Sequence, residues 1–139
     1  MQSWQNPDDE RIRQLLRESR TIAVVGCSPD PQRSSHQIAQ FLIERGYHVI
    51  PVHPRAGTIL GRRAYARLED IPESVDIVDV FRRPDATPPI AHSAVTIGAK
   101  ALWLQQGIVN EEAWRIATEG GLLCVMDRCI AVMYSLLMR

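Results

Sequence analysis

The chain has 139 residues, 45% of them hydrophobic and 23% charged, the balance of a globular protein long enough to bury a sizeable core. Sixteen basic residues match sixteen acidic ones, which argues against a general nucleic-acid or membrane-surface binder, and no apolar run nears the roughly 20 residues of a membrane span. Three cysteines and four histidines show neither C-x-x-C nor metal-ligand spacing, so neither a disulfide framework nor a structural zinc site is expected.

The N-terminus, MQSWQNPDDER, is polar and acidic rather than a secretory signal, and a cytoplasmic location is expected. Residues 1–139 read as one domain. Asn6 and Pro7 are placed to open a helix over about 7–19, with Asp8, Asp9 and Glu10 at its positive end and Ile12, Leu15 and Leu16 as its apolar stripe. TIAVV (21–25) is a β-branched run without polar alternation, the pattern of a strand covered on both faces. After the loop GCSPDPQRSS (26–35), Ile38, Phe41 and Leu42 mark a helix that Gly46 can end. HVIPV (48–52) is the second strand, and Pro51, lacking an N–H, favours the strand's end or a sheet edge. The segment 55–66 reads as a loop with a short edge strand near Arg63–Tyr65. DIVDVF (76–81), KALWLQ (100–105) and LLCVM (122–126) are further strands. Between them lie a helix opened by Thr87 and Pro88 and another capped by Asn110, and a last helix covers about 130–138.

Strands alternating with helices predict a doubly wound parallel sheet in an α/β/α sandwich, with a core over about 21–129. Ligands of such sheets bind beyond the carboxyl ends of the strands, which directs attention to the segments that follow each strand. In the first, Gly26 permits a tight turn, and the following helix N-terminus, Arg33 and the hydroxyls of Ser28 and Ser34 favour an anion. The dinucleotide fingerprint is not met, because the register reads Gly26-x-Ser28-x-x-Pro31, and no Walker lysine follows. After the second strand comes Val52-His53-Pro54-Arg55, a cation where NAD-binding folds place an acid. That substitution favours a ribose carrying a phosphate, as in NADP or coenzyme A. Phe81-Arg82-Arg83 adds an aromatic that can cover adenine and two cations for phosphate. Gln105, followed by Gly107, can hydrogen-bond a pantetheine amide. Cys27 lies near the helix N-terminus and Arg33, both able to lower a thiol pKa, so a thiol-redox role is an alternative.

The pieces VVGCSPDPQRSSHQIAQFL, GYHVIPVHPR, ILGRRAY, DIVDVFRRP, KALWLQQGI and VMDRC, in that order, resemble the small stand-alone CoA-binding proteins. Their Rossmann-like domain also forms the N-terminal part of the succinyl-CoA synthetase alpha subunit. The resemblance covers about Thr21 to Cys129 and implies a six-stranded sheet in 3-2-1-4-5-6 order with a short third strand. It implies that Gly26, Cys27, Ser28, Pro31, Arg33 and Ser34 surround a pyrophosphate. Val52, His53, Pro54 and Arg55 would flank an adenosine 3′-phosphate, with Phe81, Arg82 and Arg83 near the adenine and phosphates. His53 stands where relatives carry Asn, and IAVMY (130–134) lacks the glutamate often found after D-R-C. No catalytic constellation is evident: Glu111 and Glu112 suit a helix start, and Ser28 with His36 lacks a third member. The expectation is a small module that binds CoA or an acyl-CoA. The alternative is an NADP-dependent oxidoreductase or the nucleotide-binding subunit of a CoA-transforming enzyme.

Overall fold

The computed structural model describes residues 3–55 and 57–139; Met1, Gln2 and Ala56 lie outside the described residues. Five parallel strands form the central sheet: β1 (Thr21–Val25), β2 (His48–Val52), β5 (Ile77–Val80), β6 (Ala101–Leu104) and β7 (Leu123–Val125), in the order β2-β1-β5-β6-β7. Between β2 and β5, β3 (Thr58–Ile59) and β4 (Arg62–Arg63) make a two-stranded antiparallel ribbon. The helices are α1 (Asp9–Glu18), α2 (Ser34–Glu44), α3 (Thr87–Thr96), α4 (Glu111–Glu119) and α5 (Ile130–Leu137). Among the described residues no helix is long and apolar enough to cross a membrane.

Side-chain alternation along the strands divides the core in two. Val78, Val80, Leu102 and Leu104 pack with Ala91 and Ala94 of α3 and Ala113 and Ala117 of α4. Ile77, Ala101 and Trp103 face the other way, toward Leu15 of α1, Leu42 of α2 and Ile130 of α5. Every residue of β5 and β6 is buried, as continuous apolar runs in a doubly covered sheet require.

Two expectations need correction. The sixth strand, expected outside β2, is reduced to a single parallel bridge between Val52 and Tyr65. Tyr65 donates its N–H to the Pro51 carbonyl (3.0 Å), and His53 donates to the Tyr65 carbonyl (2.9 Å). Carrying this ladder one step back to residue 63 would need an N–H from Pro51, which has none. Arg63 pairs instead with Thr58 in the small ribbon. The second correction is at the N-terminus. Asp8 caps α1, its carboxylate accepting from the Arg11 N–H at 2.9 Å. Asn6 is used differently: it donates Nδ2–H to the Met126 carbonyl (2.9 Å) and accepts the Met126 N–H at Oδ1 (2.7 Å). The amide thus satisfies backbone groups just past β7 that a further strand residue would otherwise meet.

One polar residue breaks the apolar run at the sheet's centre. Asp79 of β5 is 0% exposed, beside Val24 and Trp103 in the register. Its Oδ1 accepts from Gln105 Nε2 at 2.7 Å, and its Oδ2 is buried without a partner. Burial pushes this carboxyl from its ordinary 3.8 up to about 7, against the opposing pull of the Gln105 hydrogen bond. The folded chain therefore holds a proton that the unfolded chain has released. The associated stabilisation is complete below about pH 4, declines as pH rises and is gone above about pH 7. Three units of displacement bound it at on the order of 4 kcal/mol. Urea unfolding between about pH 5 and about pH 8 should show wild type losing stability relative to Asp79→Asn as pH rises, with the two curves converging at the acid end. Parallel curves would mean that Asp79 is ionised throughout.

Candidate functional site

The carboxyl ends of β1, β2, β5 and β6 open onto three adjoining cavities. The first, of about 380 Å³, is lined by Val25, Gly26, Val52 and Pro54 on one side and by Arg67, Leu68, Ile90 and Ser93 on the other. The second, of about 390 Å³, lies over the loop after β1 and is lined by Gly26, Ser28, Arg33, Ser34 and Phe81. The third, of about 520 Å³, is bounded by Ser34, Ile38, Phe81, Gln105, Ile108 and Cys129. Gly26 is shared by the first two, Ser34 and Phe81 by the second and third, and Arg82 by the first and third. They are stretches of one groove.

Its floor is set by Gly26. This residue has φ +82°, and its N–H donates to the Val52 carbonyl at 3.0 Å. A Cβ here would sit 2.5 Å from the Phe81 carbonyl oxygen and 3.0 Å from Arg82 Cδ. Glycine is thus required twice, by backbone conformation and by space.

The serines of the loop divide the work. Ser35 Oγ accepts from the Ser28 N–H (2.9 Å), and Ser28 Oγ accepts from the Asp30 N–H (3.0 Å). His36, buried at the start of α2, donates Nδ1–H to the Ser28 carbonyl at 2.9 Å. Ser28 and Ser35 therefore shape the turn, while the exposed Ser34 lines the groove. The N-cap of α2 is Arg33, which makes no side-chain capping bond, and its first turn contains no acid. The positive end of the helix dipole is left open to the groove. Pro31 lies in the exposed turn, its carbonyl accepting from Gln37 Nε2 at 3.2 Å.

Arg33 and Arg82 line the groove, are exposed, and have no ion-pair partner among the described residues. Arg55 is likewise exposed and outside the ion pairs, at the end of β2 but not on the groove wall. His53 Nδ1 accepts the Arg55 N–H at 3.1 Å, the bond an Asn side-chain oxygen would accept in a similar turn. Arg83 is drawn aside, pairing with Asp85 at 3.6 Å. Gly107 is also turned to a structural use, its N–H donating to Asp127 Oδ1 at 2.7 Å.

Cys27 requires a correction. It is 0% exposed and belongs to the core on the α2 and α5 side. Burial, with Asp79 nearby, pushes its thiol up to about 11, opposite to the lowering expected from the helix end. The redox reading through Cys27 loses its basis. Arg67 was not anticipated as a wall residue, and Cys129 only as part of the segment that follows the last strand. Arg67 follows the edge bridge, just past the segment 55–66 read as loop, and Cys129 precedes α5. The second of these carried a signal: a polar residue pair, Asp127-Arg128, ends the last strand on the ligand side of the sheet.

A model of the CoA-binding domain matches residues 20–135. The chain belongs to this CoA-binding domain family. It is 40% identical over 131 residues to the protein YneT of Bacillus subtilis, covering 94% of this chain and 97% of that one. A hypothetical protein from Pyrococcus horikoshii superposes with a TM-score of 0.93 at 36% identity, each chain covered in full. The dinucleotide-forming acetyl-coenzyme A synthetase 1 of Ca. Korarchaeum cryptofilum, in complex with phosphate and ADP, matches at TM-score 0.72 and 26% identity. There 83% of this chain aligns with 28% of the larger protein. The small CoA-binding domain is thus a unit found both nearly alone and inside a much longer synthetase.

The burial pattern predicts an order of thiol reactivity. Cys27 and Cys124 are buried, with thiols pushed up to about 11 and about 12, whereas Cys129 is partly exposed in the groove. Native iodoacetamide labelling read by mass spectrometry should modify Cys129 first, with the other two reacting only on unfolding. Early labelling of Cys27 would contradict the loop's packing.

Proposed function

We propose that the groove holds coenzyme A or an acyl-CoA, laid along the carboxyl ends of the strands. The observation that carries this reading is the continuity of the three cavities around an uncapped helix N-terminus flanked by Arg33 and Arg82. An elongated ligand with its negative charge near the middle fits that arrangement. Its adenosine end would lie by Val52 and Pro54, its pyrophosphate over Gly26, Ser28, Arg33 and Ser34, and its pantetheine arm past Phe81 toward Gln105 and Cys129. Family membership supports the ligand class. Two cations, Arg55 and Arg67, stand near enough along the chain to the adenosine end to meet a 3′-phosphate. The proposal assigns the groove a binding role and routes no reaction through it.

Isothermal titration with CoA, dephospho-CoA and NADP tests the reading. CoA should bind more tightly than either rival. Arg33→Ala should weaken CoA by about 10- to 150-fold, the range of a lost charge-assisted hydrogen bond of ~1.5–3 kcal/mol. Arg55→Ala and Arg67→Ala should divide the CoA preference over dephospho-CoA between them. Wild-type affinity in Arg33→Ala, or tighter binding of NADP than CoA, would overturn the assignment.

A further inference from the structure

The buried pair Asp79–Gln105 is expensive for the fold. A carboxyl at the centre of a doubly covered sheet loses its hydration and regains one hydrogen bond, with Oδ2 left alone. Replacing both partners by apolar residues would remove that cost. What the pair delivers lies at its other end. Gln105 is 4% exposed and lines the third cavity. Its Nε2 is directed inward to Asp79 Oδ1, and no hydrogen bond to its Oε1 exists among the described residues. Oε1 is also absent from the buried unsatisfied atoms, so it has access to solvent.

A side-chain amide is ambivalent, able to present either a donor or an acceptor according to which way it is turned. Once ionised, above about pH 7, the Asp79 carboxylate only accepts, and so removes that freedom by taking the NH2 group. We propose that Asp79 is a positioning residue: it holds the Gln105 amide with nitrogen inward, so that Oε1 is offered to the cavity and selects ligands that bring an N–H donor. This rests on the binding reading above, in which the ligand reaching this cavity is the pantetheine arm. That arm carries two secondary amides, each with one N–H. The nucleotide half has its phosphates elsewhere in the groove and would not register the amide's direction.

The experiment compares CoA with adenosine 3′,5′-bisphosphate, which lacks the pantetheine arm, by isothermal titration at about pH 8.5, where Asp79 is ionised, against wild type, Asp79→Asn, Gln105→Ala and the double variant. Asn at 79 is near-isosteric and can donate or accept, so it frees the amide to turn without opening a cavity. Asp79→Asn and Gln105→Ala should each weaken CoA by about 5- to 10-fold and leave the bisphosphate within about twofold. Adding Asp79→Asn to Gln105→Ala should cost less than about twofold more, since the two act as one unit. An equal loss for both ligands would assign Asp79 a merely structural role and overturn the inference, as would additive losses or unchanged CoA affinity in Asp79→Asn. Wild type that binds neither ligand would instead remove the binding reading itself.

Discussion

The groove depends on the absence of one side chain. At Gly26 the chain leaves β1 with φ +82° and passes so close to the end of β5 that a Cβ would meet the Phe81 carbonyl at 2.5 Å. Backbone hydrogen bonds hold it there from both sides, the Gly26 N–H to Val52 and the Phe81 N–H to Val25 at 2.8 Å. Three strand ends are thus drawn to one point. Because the loop lies flat over that point, the N-terminus of α2 opens into the groove with no side chain before it. A bulkier residue would lift the loop and separate the cavities that Gly26 now joins.

Charge in this site is arranged without net charge in the chain. Sixteen acids balance sixteen bases, yet Arg33 and Arg82 stand along the groove outside any ion pair among the described residues, while the nearby acids, Glu69 on the wall of the first cavity included, have partners of their own. Asp85 takes Arg83, Asp127 takes the Gly107 N–H, and Glu69 is held by Ser93 (2.7 Å) with Arg67 at 3.9 Å. The cations left without a carboxylate partner on the groove thus follow from pairing choices, not from composition. Such a site can attract a polyanion while the remaining surface stays electrostatically mixed.

Most of the fold was legible because its signals are local. Continuous β-branched runs marked the strands, Asn110 caps α4 by accepting the Ala113 N–H at 2.8 Å, and Pro51 announced the sheet edge. The site was legible to the extent that position after a strand implies position on the groove: Gly26, Ser34, Phe81, Arg82 and Gln105 are all on its walls. What escaped was non-local. Nothing near Asn6 reveals that its amide closes on Met126, 120 positions away. Nor does the sequence near Cys27 reveal that this residue, in the loop after β1, is wholly buried in the core on the α2 and α5 side. Arg67 was missed because it reaches the groove through the bridge at Tyr65, a contact too short to leave a strand pattern.

The position of Asp79 bears on how a binding module of this kind is built. Its acid is buried one layer beneath the groove, flanked by the equally buried Cys27, and both are driven toward their neutral forms by lost hydration. Ionisable groups placed there are poor candidates for exchange with a ligand, since the sheet shields them. They are well placed to act on what lies above, because a low-dielectric interior lets one hydrogen bond fix a wall residue's orientation firmly. The groove thereby gains a defined pattern of donors and acceptors. Arginines and helix N–H groups offer positive charge at its middle, and the carbonyl of Gln105 offers an acceptor at one end. A ligand satisfying both would carry anionic oxygens and, some distance away, a hydrogen-bond donor. That combination narrows the ligand class more than either feature does alone.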